Sequence, residues 1–370
     1  MHILHLYKDY FPVLGGIENH IRVLAEAQVA AGHQVTVLVC DPGRRTRHEV
    51  LNGVHVIKAG RLTTRASMPI SWAQPWELWH QHPDLLHVHS PYPLGEVTGW
   101  LLRRNSAVVI THHSDVVRQR GWLRLYAPLL RHVLCTVDRI IATSPRYIET
   151  SPWLRPVAHK CVVVPLGVDV RQFTPSPKLE SGMLRLLFVG RLRYYKGLDV
   201  LLRALVQLPD AQLTIVGDGP MRAPWETLAR SLRLDERVHF AGDVPDAELP
   251  GWYRRADVFV LPANARAEAF GTVLLEAMAS GLPCVTTEVG TGTSWIVQHG
   301  VTGLVVPPND VAALSAALEQ LRDSALRDAM GRAGRARVEQ NFTLARMLQG
   351  VEAVYQDALK EAAARRLNAK

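Results

Sequence analysis

The feature that most constrains this chain is an alternation that runs twice. Short apolar runs rich in β-branched residues alternate with longer stretches of helical period. Residues 3–6, 34–40, 54–57, 84–89, 107–115, 138–143 and 161–164 read as six or seven strands of a first series. The alternation stops over 169–182, where Pro175, Ser176, Pro177, Ser181 and Gly182 interrupt any apolar period. It restarts at 184–190, 212–217, 237–240, 257–261, 283–287 and 303–306, and a helical tail begins near residue 311. Two successive βαβ series predict an α/β chain of two doubly wound, Rossmann-like domains facing a cleft. The expected divisions are residues 1–172, 173–343 and 344–370, the last a C-terminal helix crossing back to the first domain. A length of 370 residues suits two domains of ordinary size, and no period of 20–50 residues repeats.

Composition removes several function classes. A hydrophobic content of 48% supports real cores, and no run of about 18 apolar residues suggests a membrane span. The chain enters a strand at once, with no visible signal peptide. Cys40, Cys135, Cys161 and Cys284 lie far apart, so they read as reduced, mostly buried thiols of a cytoplasmic protein. A formal net charge of +8 favours an anionic partner: nucleotide phosphates, nucleic acid or a phospholipid surface. No nucleic-acid-binding module is recognisable, so nucleic acid is not expected as a partner.

The most informative stretch is EAFGTVLLEAMAS, Glu268 to Ser280. It follows the apolar run 257–262 and opens a helix at Thr272, placing Glu268 at a strand-to-helix transition where α/β proteins bind ligands. The backbone around Phe270, Gly271 and Thr272 could receive a phosphate. Thr272, Glu276 and Ser280 recur every four residues and form one polar stripe on an otherwise apolar helix. Gly190-Arg-Leu-Arg-Tyr-Tyr-Lys196-Gly197 occupies the equivalent transition after an earlier strand. Arg191 supplies a planar fork and Lys196 a point charge, a pair suited to a diphosphate leaving group. Val216, Gly217 and Gly219 repeat the strand–glycine theme without the full dinucleotide fingerprint, which disfavours a nicotinamide cofactor. No two Asp residues stand at spacing two, so no Asp-x-Asp is present to hold a metal-bound nucleotide sugar, and no metal or cofactor is expected.

In the first series, Gly15 and Gly16 precede a helix and would let a phosphate approach the backbone. His112, His113 and Asp115 fall at the C-terminal end of a buried strand, where functional loops of parallel sheets lie. His87 and His89 share a strand face without a third ligand nearby in sequence, so they read as structural. Trp72, Trp76 and Trp79 suit core packing, a lid, an acceptor site or lipid contact. Residues 116–134 form a basic, aromatic, amphipathic segment fit for an anionic lipid surface or for packing on its own sheet.

Over nearly its whole length the sequence resembles the retaining glycosyltransferases of family 4, which have the GT-B fold. The resemblance rests on Gly15-Gly16-Ile-Glu18, Thr111-His-His113, the Gly190–Gly197 loop and Glu268-x7-Glu276, in that order. It implies a nucleotide-sugar donor held mainly by the second domain and an acceptor on the first. By similarity, Arg191 and Lys196 bind the donor diphosphate and Glu276 the ribose hydroxyls. Glu268 faces the donor sugar, the Phe270-Gly271-Thr272 backbone meets sugar and phosphate, and Val216 and Gly217 end near the nucleoside. Gly16 approaches the diphosphate after closure, which excludes water. His113 matches the donor-side histidine, with His112 and Asp115 nearer the acceptor.

The stretches 111–119 and 143–152 resemble more narrowly the bacterial mannosyl- and rhamnosyltransferases of surface polysaccharide synthesis. That implies a GDP-sugar donor, a lipid-linked glycan acceptor and peripheral attachment at the cytoplasmic face of the inner membrane. The family resemblance favours same-face attack, with the leaving phosphate helping to take the acceptor proton, over the alternative of a nucleophilic Glu268. The alternatives are a UDP-sugar donor with another acceptor, a nucleotide-sugar epimerase of the same fold, a phosphorylase, or a non-enzymatic nucleic-acid binder.

Overall fold

The computed structural model describes residues 1–13, 15–65, 68–115, 120–177 and 182–368, with backbone alone at 120–124 and 368. The chain forms two compact units: Met1–Pro165 with Met347–Lys370, and Leu166–Arg346.

The first unit carries strands β1 (His2–Leu6), β2 (Gln34–Cys40), β3 (Arg47–Leu51), β4 (Val54–Ala59), β5 (Thr63–Arg65) and β6 (Met68–Ile70). It continues with β7 (Leu85–Ser90), β8 (Ala107–His112), β9 (Arg139–Ala142) and β10 (Cys161–Val163). Its helices are α1 (Gly16–Ala30), α2 (Ala73–His80), α3 (Pro93–Leu101), α4 (Arg120–Thr136) and α5 (Pro145–Thr150). Eight strands form one sheet in the order β10-β9-β8-β7-β1-β2-β4-β3. All neighbours are parallel except the β3–β4 pair. Every residue of β7 and β8 is buried, as expected of central strands covered on both faces. The order of the chain reverses between β1 and β7, which makes that seam the switch point of the sheet.

Two features differ from the sequence reading. Strand β3 and the ribbon β5–β6 were not expected. β3 is an edge strand of mostly exposed, polar residues, so it lacks the apolar signal of a core strand. The tryptophans of the α2 region are not core: Trp72, Trp76 and Trp79 are 77%, 64% and 48% exposed.

The second unit has six strands, β11 (Leu184–Val189), β12 (Ala211–Val216), β13 (Val238–Gly242), β14 (Val258–Leu261), β15 (Cys284–Thr287) and β16 (Gly303–Val306). Its helices are α6 (Leu198–Val206), α7 (Arg222–Ser231), α8 (Leu249–Arg255), α9 (Thr272–Ala279), α10 (Thr293–Ile296), α11 (Val311–Gln320) and α12 (Ser324–Asn341). The sheet is fully parallel in the order β13-β12-β11-β14-β15-β16, so its switch point lies between β11 and β14. One core joins the sheet to its helices through Phe188, Phe259, Leu274, Leu275, Leu202 and Tyr253.

The C-terminal helix (Leu344–Asn368) places most of its length in the first unit. Met347, Val351, Val354, Tyr355, Ala358 and Ala362 form its buried stripe. Each fully buried Val or Met contributes about 1.5–3 kcal/mol. The exposed His33–Glu352 pair, 3.5 Å apart, belongs to a class worth about 0–1 kcal/mol. Arg365 and Glu361 add ion pairs to the buried Asp138 and to Arg139, so packing and charge together hold the helix in place. Among the described residues no helix is long and apolar enough to cross a membrane. All four cysteines are free; Cys40 and Cys284 are buried, Cys161 is half-buried, and Cys135 is exposed rather than buried as its sequence setting suggests.

Gly197 caps α6 in the left-handed region, at φ 67°. A Cβ there would stand 2.0 Å from the Pro262 carbonyl oxygen, so the turn after β11 presses directly on the turn after β14. Gly197→Ala should destabilise the protein by roughly 2–4 kcal/mol. Thermal unfolding checks this, and a melting temperature equal to wild type would contradict the close approach.

Candidate functional site

The second unit builds its site at the β11/β14 switch point. Two loops are fastened together there: Asn264 N donates to the Tyr195 carbonyl at 2.9 Å. Lys196 ends a short 3-10 turn after β11, and Glu268 sits in the loop after β14. The Lys196 Nζ lies 2.7 Å from Glu268 Oε2, and the two side chains are only 10% and 9% exposed. Burial opposes the Lys196 charge, but Glu268, Tyr195 and Glu276 outweigh it and hold the ammonium above its ordinary value. Glu268 is held from behind, since its backbone carbonyl accepts from Thr291 Oγ1 at 2.7 Å. Arg191 stands on the exposed side of the same loop.

The loop ends of β11 and β12 are equally close. A Cβ on Gly217 would meet the Gly190 carbonyl oxygen at 2.3 Å, and Gly217 N donates to the Gly242 carbonyl at 2.7 Å. Val216 is buried beneath them. Gly271, at φ 84°, turns the chain into α9, whose first amides have no intrahelical acceptor. Phe270 is buried and braces that turn.

The polar stripe of α9 is shorter than its spacing predicts. Thr272 and Glu276 keep contact with solvent, whereas Ser280 is buried and, among the described residues, its hydroxyl has no partner. The physical reason is Gly331 of α12, which packs so near Gly281 that a Cβ would stand 2.1 Å from the Gly281 oxygen. Tyr253 Oη donates to Glu276 Oε2 at 2.6 Å. Burial pushes the Glu276 carboxyl up to about 7, against the hydrogen bond from Tyr253. Near neutrality this group can therefore either accept or donate a hydrogen bond. Sequence reasoning missed Tyr253, whose only signal was an aromatic residue preceding the β14 strand.

The first unit places its candidates differently. His112 Nε2 lies 3.0 Å from Asp115 Oδ1, which also accepts from Ser151 Oγ at 2.7 Å. His113 belongs to another network, through His89 Nδ1 at 2.9 Å from its Nε2. His89 Nε2 is 3.0 Å from His5 Nδ1, and His5 Nε2 is 2.7 Å from Gln28 Oε1. His87 bonds Thr111 Oγ1 and Tyr355 Oη, each at 2.6 Å. The sequence reading saw no third partner for His87 and His89, but the register sets His5 opposite His87 and α1 brings His20 to the group. His5, His87 and His89, and again His20, His89 and His113, hold ring nitrogens within 4.8 Å of one another. Two of these contacts are hydrogen bonds between rings, His5–His89 and His89–His113; His5 spends its other nitrogen on Gln28, and His87 spends both of its own on Tyr355 and Thr111. At Gly16, a Cβ would meet nothing within 4 Å, so the chain's own packing leaves that position open. The N-terminal turn of α1 is partly occupied, because the Glu18 carboxylate folds to 2.1 Å from a Cβ position on Gly15. Of the proposed lipid-facing segment, residues 116–119 and the side chains of Trp122, Leu123 and Arg124 lie outside the described residues. Leu130 and Val133 are buried, while Leu125 is 79% exposed.

Two doubly wound units built on largely parallel sheets have the architecture of the GT-B glycosyltransferases. Among solved structures, sucrose-phosphate synthase from Thermosynechococcus elongatus matches with a TM-score of 0.83 at 26% identity, over 97% of this chain and 99% of that one. WaaG, a glycosyltransferase involved in lipopolysaccharide biosynthesis, shares the fold with a TM-score of 0.67 at 20% identity, over 97% and 98%. Residues 14–172 match the model described as Glycosyltransferase Family 4, and residues 170–337 match Glycosyl transferases group 1. The chain is 38% identical to the D-rhamnosyltransferase WbpZ of Pseudomonas aeruginosa, over 93% of this chain and 92% of that protein. It is 32% identical to the O-antigen chain mannosyltransferase C of Escherichia coli, over 97% and 99%. The protein belongs to the family 4, group 1 glycosyltransferases, and it is an enzyme of that class.

Two predictions follow from burial. Removing one member of the Lys196–Glu268 pair, by Lys196→Met or Glu268→Gln, should cost about 3–5 kcal/mol, and the double variant less than the sum. Denaturant titration of all four proteins checks this; strict additivity would mean the pair is not coupled. The second concerns pH. Desolvation lowers His5 to about 4 and His20 to about 3, and pushes His87, His89 and His113 well below their ordinary 6.5. As pH falls below 6.5, the unfolded chain takes up these protons first, so stability present above that pH is lost toward 4. Each ring contributes up to about 1.4 kcal/mol per pH unit. The urea midpoint should drop steeply between pH 7.5 and 5.5, and an unchanged midpoint would contradict the neutral cluster.

Proposed function

We propose that this glycosyltransferase moves a mannose- or rhamnose-type hexose, with retention, from a GDP-linked donor to a lipid-linked saccharide of a surface polysaccharide. The observation that carries the reading is the buried Lys196–Glu268 pair, 2.7 Å apart, at the switch point of the second unit. A cation already desolvated there needs no metal to receive a diphosphate. On arrival of the donor, Lys196 shares its charge between Glu268 and the phosphates, and Arg191 adds a fork from the exposed side. Glu276 takes the ribose hydroxyls, and Glu268 holds the sugar. The amides at Phe270, Gly271 and Thr272 meet sugar and phosphate, while Val216 and Gly217 border the nucleoside. Gly16 and His113 serve the donor from the first unit, with His112 and Asp115 toward the acceptor.

The sugar and acceptor classes draw support from the names of the relatives, a D-rhamnosyltransferase and an O-antigen chain mannosyltransferase. Peripheral contact with an anionic membrane draws support from the exposed Trp72, Trp76 and Trp79 and from the +8 charge. Departure of the nucleoside diphosphate leaves the anomeric carbon cationic in character, the acceptor oxygen attacks the same face, and the departing phosphate takes its proton.

Lys196→Ala and Glu268→Ala should each lower transfer at least about 100-fold. The assay follows hexose from GDP-mannose or GDP-rhamnose onto a lipid-linked acceptor in EDTA, at a low temperature where circular dichroism shows both variants folded. Near-normal turnover in both would remove these residues from the site. A thermal shift with GDP, and none with UDP, ADP or dTDP, is expected in the same buffer; selective stabilisation by UDP would overturn the donor base.

A further inference from the structure

The buried histidines of the first unit form a directional chain. It begins at Tyr355, on the C-terminal helix, and ends at His113, with four hydrogen bonds between: Tyr355–Gln28 at 3.1 Å, Gln28–His5 at 2.7 Å, His5–His89 at 3.0 Å and His89–His113 at 2.9 Å. A neutral imidazole has one donor nitrogen and one acceptor, so the role of one ring dictates the role of the next. Gln28 donates from Nε2 to Tyr355 Oη, leaving its Oε1 as an acceptor. His5 must then carry its proton on Nε2 and accept at Nδ1. His89 must in turn donate from Nε2 to His5, and His113 from Nε2 to His89. The tyrosine hydroxyl, having accepted from Gln28, donates to His87 Nδ1, and His87 donates from Nε2 to Thr111.

We propose that Tyr355 is a positioning residue that fixes the tautomer of His113 through Gln28, His5 and His89, so that His113 offers Nδ1 as a hydrogen-bond acceptor to a ligand hydroxyl. Among the described residues, that nitrogen has no partner of its own. The reverse polarity is also self-consistent, but only if Gln28 turns over and every ring in the chain exchanges its roles together. One side chain, 268 residues away from His87 in sequence, thus biases a two-state element. The consequence for catalysis rests on the reading of His113 as donor-facing; the tautomer chain itself rests on the network alone.

The test is long-range 1H–15N correlation of histidine ring nitrogens in the full-length protein at pH 7.5, paired with transfer kinetics. Wild type should show neutral rings with the proton on Nε2 at His5, His89 and His113. Tyr355→Phe removes the group that orients Gln28, and the three rings should then show mixed or Nδ1–H tautomers, with kcat/KM lower by about 10-fold, the cost of one misdirected hydrogen bond. Adding Gln28→Glu, an acceptor-only side chain, should restore both the Nε2–H pattern and kcat/KM. If the single variant does not fold, Gln28→Met provides the same break from within α1. Nδ1 protonation at any of the three rings in wild type, or an unchanged pattern in Tyr355→Phe or in Gln28→Met, would overturn the proposal. A tautomer change in Tyr355→Phe with no loss of transfer would leave the network standing and overturn the role of His113 in the reaction.

Discussion

An ammonium and a carboxylate withdrawn together from water at the β11/β14 seam are the interaction on which the second unit depends. Isolated, either charge would be expensive to bury; paired at 2.7 Å, with Thr291 anchoring the Glu268 backbone, they are tolerated. The pair also requires its scaffold. Gly197 and Gly217 bring three loop ends into backbone contact, at distances that leave no room for a Cβ. Glycine at these points is a condition of the charge arrangement, because any wider spacing would open the pair to water and weaken it. A preformed, desolvated cation is what a departing diphosphate needs, since it stabilises the developing charge without reorganisation.

The first unit has the same kind of seam, between β1 and β7, and fills it with the opposite electrostatics. Five imidazoles are gathered there and all are held neutral by burial. Four of them are linked by hydrogen bonds to one another or to Gln28, Thr111 and Tyr355, where aliphatic side chains would ordinarily pack. A polar network of this kind specifies one arrangement when fully satisfied and is costly when broken. The C-terminal helix closes it through Tyr355, which gives that helix a chemical role in addition to its apolar stripe.

Much of this was legible from local signals. The strand–glycine–helix transitions at Gly190–Gly197 and Glu268–Glu276 mark the candidate site loops, because parallel strands deliver their loops to one edge. The order of strands, and so the coincidence of Lys196 and Glu268, follows from a crossover rule that sequence pattern alone does not display. Partners distant in sequence were not legible. His5 and His89 are 84 residues apart, and only the β1–β7 pairing makes them neighbours. Edge strand β3 escaped because its residues face solvent and carry no apolar period. Trp72, Trp76 and Trp79 misled in the other direction, since large aromatic side chains on a helix with i, i+4, i+7 spacing resemble a core face, and here that face is open.

The central claim is that Lys196 is the preformed receptor for a diphosphate. The most direct measurement is calorimetric titration of GDP and of GMP, in EDTA, into wild type and into Lys196→Ala. GDP should bind wild type at least about 10-fold tighter than GMP, with that preference lost in the variant. Equal affinity of wild type for GDP and GMP, or a preference for GDP that survives the loss of Lys196, would contradict it.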